Sequence, residues 1–284
     1  MFENIFKGFS FIKESFSLIM KDSDVIKPSF YSIFAGIFFT ILSVIIMFLL
    51  QSGSGWGNFF YIFAFFILLG NYFISYFFTG MTAFLVYDYF KDGDATMSEA
   101  WAATKKNALA IFYLAIISAI VNIILGILRG RTRKDRSVGG GLSGMIIGFI
   151  EKAWTVATYF MIPAIVIEDR DLKSAVERAS SIIKNNLLPI GVGEIAVGFV
   201  TGLLSVIGFV IAIVIGISLA SVSPLIAILV AAILIVIIIA LSMYVTTAYH
   251  TCLFLWARNV EDAKAGISGT IKPPAPIAGA LGIS

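Results

Sequence analysis

Three times along the chain, a charged stretch with apolar residues at three- and four-residue steps runs into a long apolar segment. A second apolar segment then follows. Residues 58–87 carry no charged side chain, and residues 195–257 carry none unless His250 is protonated. Roughly 20 consecutive apolar residues suffice to cross the hydrocarbon of a bilayer as a helix. The pattern therefore predicts an all-α integral membrane protein with six spans, at about 29–50, 58–88, 107–128, 143–168, 187–218 and 224–257. Short, mostly uncharged turns join the first and last pairs at Gln51–Gly57 and Ser218–Ser223, whereas a basic turn joins spans three and four.

The charged stretches read as helices at about 2–21, 95–106 and 171–185. In the first, Phe2, Ile5, Phe6, Phe9, Ile12, Phe16, Ile19 and Met20 form one face of a helix. The second carries Met97, Trp101 and the pair Lys105–Lys106. In the third, Leu172, Ala175, Val176, Ala179, Ile182 and Ile183 form the stripe, with charges opposite. Such helices either lie in the headgroup plane of the inner leaflet or cap the bundle by packing on the span ends.

The order of segments is echoed in letters. AFLVYD at 83–88 matches AIVIED at 164–169, and SEAWAATKKN at 98–107 parallels VERASSIIKN at 176–185. KESFSLIMKD at 13–22 aligns with the same stretch, so the chain reads as three tandem units of one interfacial helix and two spans, the alternative being a duplication of units two and three alone. Parallel repeats of two spans share an orientation, which suggests a pseudo-threefold bundle. One membrane domain covers 1–262, and the Gly/Pro/Ala-rich residues 263–284 form a tail.

Composition agrees with a lipid solvent: 59% of the 284 residues are hydrophobic, 13% are charged, and mean hydropathy is +0.98. The net charge is +3, and the placement of Lys and Arg sets orientation. With both termini inside, the inner segments hold most of the basic residues. The outer loops hold only the cluster Arg129–Arg136. The expected location is the cytoplasmic membrane, with the first span serving as an uncleaved anchor. Inner-surface Lys and Arg suit anionic headgroups, at about 1 kcal/mol each. Membrane lipids are therefore expected partners, with protein partners or a second copy of the chain beside them, and no specific nucleic-acid binding.

Polar residues inside the spans are the candidates for function. Glu194 heads a small-residue stripe of Gly198, Gly202, Ser205, Ala212 and Gly216, and is expected on a close-packing face. A neighbouring helix end or Arg258 is its expected structural partner. Glu151 and Lys152 are adjacent on span four, so they project differently and do not pair with each other. Residues 138–152 read either as an outer interfacial piece or as the polar outer third of one helix. Asn71, Ser75, Thr79 and Thr82 on span two, Ser118 and Asn122 on span three, and Ser242, Thr246 and His250 on span six form further polar faces. These would line a hydrated path or make interhelical hydrogen bonds; His250, beside Tyr249, reads as interfacial.

Catalytic and cofactor signatures are missing from the letters. GGGLSG at 139–144 lacks the Lys-Ser/Thr of a phosphate loop and reads as a flexible turn. One cysteine, Cys252, and one histidine offer no disulfide and no His-based metal cluster. Asp88, Asp92 and Asp94 read as turn residues capping the next helix. No enzyme activity, metal or cofactor is expected.

The runs NYFISYFFTGMTAFLVYDYFKDGDATMSEAW, within 70–129, and MIPAIVIEDRDLKSAVERASSIIKNN resemble a prokaryotic family of six-span membrane proteins of unknown function. More remotely, the chain is similar to the membrane domain fused to some glycerophosphodiester phosphodiesterases. The resemblance implies the six-span architecture and supplies no active site; the phosphodiesterase domain itself is missing. The leading expectation is a non-enzymatic membrane scaffold or accessory subunit acting through its inner-leaflet helices. The alternative is a transporter or translocation pore lined by Glu194 and the polar faces.

Overall fold

The computed structural model describes residues 13–50, 57–132, 138–221, 223–264 and 266. Among them 93% are helical and none forms a strand. Helix α1 covers 13–21 and a 3-10 turn covers Ser23–Ile26. There follow α2 (Lys27–Leu50), α3 (Gly57–Asp92), α4 (Met97–Lys106), α5 (Ala108–Thr132), α6 (Val138–Val166), α7 (Leu172–Asn185), α8 (Leu187–Ala220) and α9 (Pro224–Lys264). Six of them are long and apolar enough to cross a membrane, over Ser23–Leu50, Phe60–Asp92, Ala108–Gly130, Ser143–Val166, Val197–Ala220 and Pro224–Ala263. The expected stripe residues Phe2–Ile12, the turn at Gln51–Trp56, most of the basic loop and the tail beyond Gly266 lie outside the described residues.

Helix length explains where the core sits. α3 has 36 residues and α9 has 41, so at 1.5 Å per residue they are about 54 and 61 Å long. Both overrun a hydrocarbon layer of about 30 Å. Their overhanging ends meet the short helices, and buried side chains concentrate there: Met81, Leu85 and Val86 of α3, Phe160 and Ile165 of α6, and Tyr244 and Phe254 of α9. Away from that end, outward apolar side chains such as Leu49, Phe149 and Ile217 are over 70% exposed, as a lipid-facing belt requires.

The short helices pack on that core. Ala100 and Thr104 of α4 are fully buried, as are Ala175 and Ile182 of α7. Of the two placements open from the sequence, their inner faces take the capping one. On α1 the buried positions are Ser15 and Leu18, whereas Met20, predicted in the apolar stripe, is 87% exposed. Ser15 is instead fixed by Tyr244, whose hydroxyl donates to its carbonyl at 3.2 Å.

Acidic side chains stitch the connecting loops. Asp22 accepts from the backbone N–H of Asp24 and of Ala95, both at 2.8 Å, tying the N-terminal segment to the α3–α4 loop. Asp88 accepts from the Thr96 N–H at 3.2 Å, beside the start of α4. Asp169 sits at φ 55, a left-handed conformation that Asp tolerates better than most residues. Its carboxylate takes Lys106 at 2.5 Å and Asn107 at 3.0 Å, and these two hydrogen bonds hold it below the ordinary carboxylate range. Asp171 caps α7 through Ser174, which lowers its pKa likewise. Arg178 bridges Glu168 at 3.1 Å and Glu261. Burial works against its charge, but the Glu261 hydrogen bond and the Glu168 carboxylate outweigh burial and raise its pKa.

The second helix of each pair meets the other two, with α3, α6 and α9 in mutual contact. α3 is central, touching α2, α4, α5, α6 and α9, while α8 lies along α9 and otherwise meets mainly α7. The small-residue stripe of α8 is correspondingly split. Ser205 bonds Ser242 at 2.9 Å and Gly216 faces Ala231, but Gly198 and Gly202 border open space. GGGLSG is not the predicted turn: it belongs to α6, which runs unbroken from Val138, so residues 138–152 are the first part of one helix.

Candidate functional site

Glu194, two turns into α8, is the centre of a network joining α6, α8 and α9. Its Oε2 lies 3.1 Å from Lys152 Nζ, and its Oε1 meets His250 Nε2. Neither expected partner is used: Arg258 instead lies over the Tyr87 ring, 5.5 Å from its centroid. His250 is buried among protein side chains, at 3% exposure. Tyr159 stacks on its ring at 4.4 Å and 8°, with Phe160 and Tyr249 edge-on beside it.

The hydrogen bonds define how this network holds protons. His250 Nδ1 is 2.7 Å from the Thr246 carbonyl, and a carbonyl oxygen can only accept. Nδ1 therefore carries hydrogen, and Nε2 faces the carboxyl group. A proton must lie between Nε2 and Oε1, because two lone pairs cannot bond. Glu194 and His250 thus share one proton between α8 and α9, while Lys152 occupies the second carboxylate oxygen. A carboxylate 13% exposed is costly unless bonded on both oxygens, and this one is.

Beside the network, α3, α5 and α6 enclose a cavity of about 180 Å³. α3 contributes Tyr72, Ser75, Tyr76 and Thr79. From α5 come Ser118 and Asn122, one turn apart on one face. Glu151, Trp154, Thr158 and Tyr159 complete it from α6. The Trp154 indole donates to Ser118 at 3.2 Å, which fixes the ring in the wall. Thr155 and Thr158 turn their hydroxyls to the carbonyls of Glu151 and Trp154, at 2.9 Å each. Tyr159 belongs to both features, lining the cavity and stacking on His250. Pro163, one turn further, leaves the Tyr159 carbonyl without its usual helical donor.

The remaining sequence candidates divide. Glu151 pairs with Arg129 across the α5–α6 connection, so Glu151 and Lys152 have separate partners. Asn122 lines the cavity. Asn71 does not: its amide donates to Thr40 at 3.0 Å and to the Ile67 carbonyl at 2.9 Å, facing α2 in a separate open groove. Sequence reasoning passed over Tyr72, Tyr76 and Trp154. Their signal was the step of four from Tyr72 to Tyr76, and of three from Glu151 to Trp154. Among the described residues, no group of three or more His, Cys, Asp or Glu could hold a metal ion.

Comparison with known proteins adds little beyond kinship. No curated protein and no solved structure matches the chain, and no link to the glycerophosphodiester phosphodiesterases emerges. The model of a family of unknown function covers residues 57–269, from the start of α3 past the end of α9. That is most of the chain, and the chain accordingly belongs to that family, DUF6159.

Proposed function

We propose that this multi-pass protein is a non-enzymatic transporter-type protein of the cytoplasmic membrane that binds a small polar solute between α3, α5 and α6. The carrying observation is the cavity: it lies among membrane-spanning helices yet brings hydroxyl, amide and carboxylate groups into a largely apolar wall. Such groups are costly within hydrocarbon and usually mark a binding site or pathway. Tyr159 connects that wall to a proton-holding pair between α8 and α9, so occupancy of the cavity and the packing of the last two spans can influence each other. Both termini are placed inside, and the repeated order of one short and two long helices is read as descent from a duplicated unit.

Thermal-stability screening of the purified protein against small polar solutes, followed by uptake into proteoliposomes, tests this reading. Stabilising solutes should be taken up, and Thr155→Trp, which fills the cavity, should abolish both effects. Absence of any stabilising or transported solute would overturn it.

The scaffold reading keeps one observation in its favour. The outward faces of α4 and α7 remain charged and exposed, at Lys105, Lys173, Glu177 and Lys184, and would meet anionic headgroups or partner proteins. It predicts that deleting residues 1–27 disrupts partner binding or membrane organisation, and it fails if the deletion leaves both unchanged.

A further inference from the structure

We infer that the cavity selects a small organic cation, an ammonium-bearing solute of about the bulk of tetramethylammonium. This deepens the proposed solute-binding function and rests on it. Size sets the first limit: the cavity of about 180 Å³ far exceeds the roughly 10–15 Å³ of such space that a single water needs. Charge sets the second. Among the described lining residues Glu151 is the one charged side chain, since Lys152 is directed to Glu194. The lining thus offers one carboxylate and no cationic side chain.

The walls themselves supply the third argument. Tyr72, Tyr76, Trp154 and Tyr159 bring four aromatic rings to one small space, with Tyr72 and Tyr76 5.5 Å apart. Ring faces attract cations, most strongly where water is scarce. Glu151 already engages a cation of this chain, the Arg129 guanidinium. Arg129 thus occupies the carboxylate that an incoming ammonium would use, and the two compete.

The competition gives opposite predictions for two neighbouring substitutions. Titration calorimetry on the full chain in nanodiscs would use tetramethylammonium, with acetate and glycerol as probes of similar size. Tetramethylammonium should bind, and acetate and glycerol should not. E151Q should weaken binding at least tenfold, and R129Q should tighten it by removing the competitor. A purely structural role for the pair would make both substitutions act in the same direction, overturning the inference. Binding of acetate or glycerol in place of tetramethylammonium would overturn the cation class while leaving solute binding intact. Failure of every probe, together with a negative solute screen, would overturn the solute-binding function itself.

Discussion

The pairing of His250 with Glu194 makes a quantitative prediction through a double-mutant cycle. His250→Phe keeps an aromatic ring against Tyr159 but removes both ring nitrogens. Glu194 then retains only Lys152, whose side chain is 61% exposed, and an exposed ion pair is worth about 0–1 kcal/mol. The stranded carboxylate, 13% exposed, should therefore cost about 3 kcal/mol, the lower end for breaking a buried pair. Glu194→Leu is gentler, because it removes the carboxylate and leaves no stranded negative charge. Its cost should be that of one hydrogen bond to a charged group, about 1.5–3 kcal/mol. The double variant has neither a stranded charge nor a broken bond, so it should be more stable than the sum of the singles implies. The expected coupling is about 2 kcal/mol, read from reversible unfolding in mixed micelles at increasing dodecyl sulfate. Independent sites add within about 0.5 kcal/mol, and additivity of that quality would refute the pairing.

Three further outcomes follow from other contacts. His250 is the one histidine of the chain, so nitrogen-15 NMR of labelled imidazole gives a single pair of signals; the Nε2 signal should shift in E194Q, and an unchanged signal would refute the Glu194 contact. Asp169→Asn, which suits φ 55, isolates the charge bonded to Lys106 and Asn107. Because the folded carboxyl titrates below its ordinary 3.8, its contribution is present above that value and is lost as pH falls through the lower folded one. The melting difference between wild type and D169N should accordingly be present at pH 7 and vanish in strong acid. Arg178→Ala takes this partner from Glu261 and leaves Glu168 with Arg170, and should cost about 3 kcal/mol in the same micelle assay. Arg178→Lys should recover part of that, since an ammonium cannot fork between both carboxylates.

The six long helices were legible because each needs only an uninterrupted apolar run, which is a local property. α4 and α7 were legible for the same reason, as their three- and four-residue periods are written in short stretches. Whether those periods faced lipid or protein was not local: it depended on α3 and α9 overrunning the bilayer and offering ends to cover. Glu194 was visible as a charge out of place, but its partners lie on α6 and α9. Spacing within α8 carries no information about Lys152 or His250. His250 read as interfacial from its place beside Tyr249 at the inner end of span six, whereas the packing of α9 sets it among Tyr159, Phe160 and Tyr249. The cavity was half legible. Ser118–Asn122 and Ser75–Thr79 stand at helical steps, while Tyr72, Tyr76 and Trp154 resembled ordinary membrane aromatics until three helices brought them together.

Solvent access to the cavity is the most direct test of the account. Cys252 is the one cysteine and is buried, so a C252A background accepts single reporters cleanly. Ser118→Cys and Thr155→Cys would sit in the cavity wall, and Ile124→Cys on the outward face of α5, where Ile124 is 51% exposed. Each variant in proteoliposomes would be treated with a charged, membrane-impermeant methanethiosulfonate reagent. The account predicts that the two cavity positions are labelled, that Ile124→Cys is not, and that tetramethylammonium protects the cavity positions. Labelling of none of the three would mean a dry bundle and would contradict it.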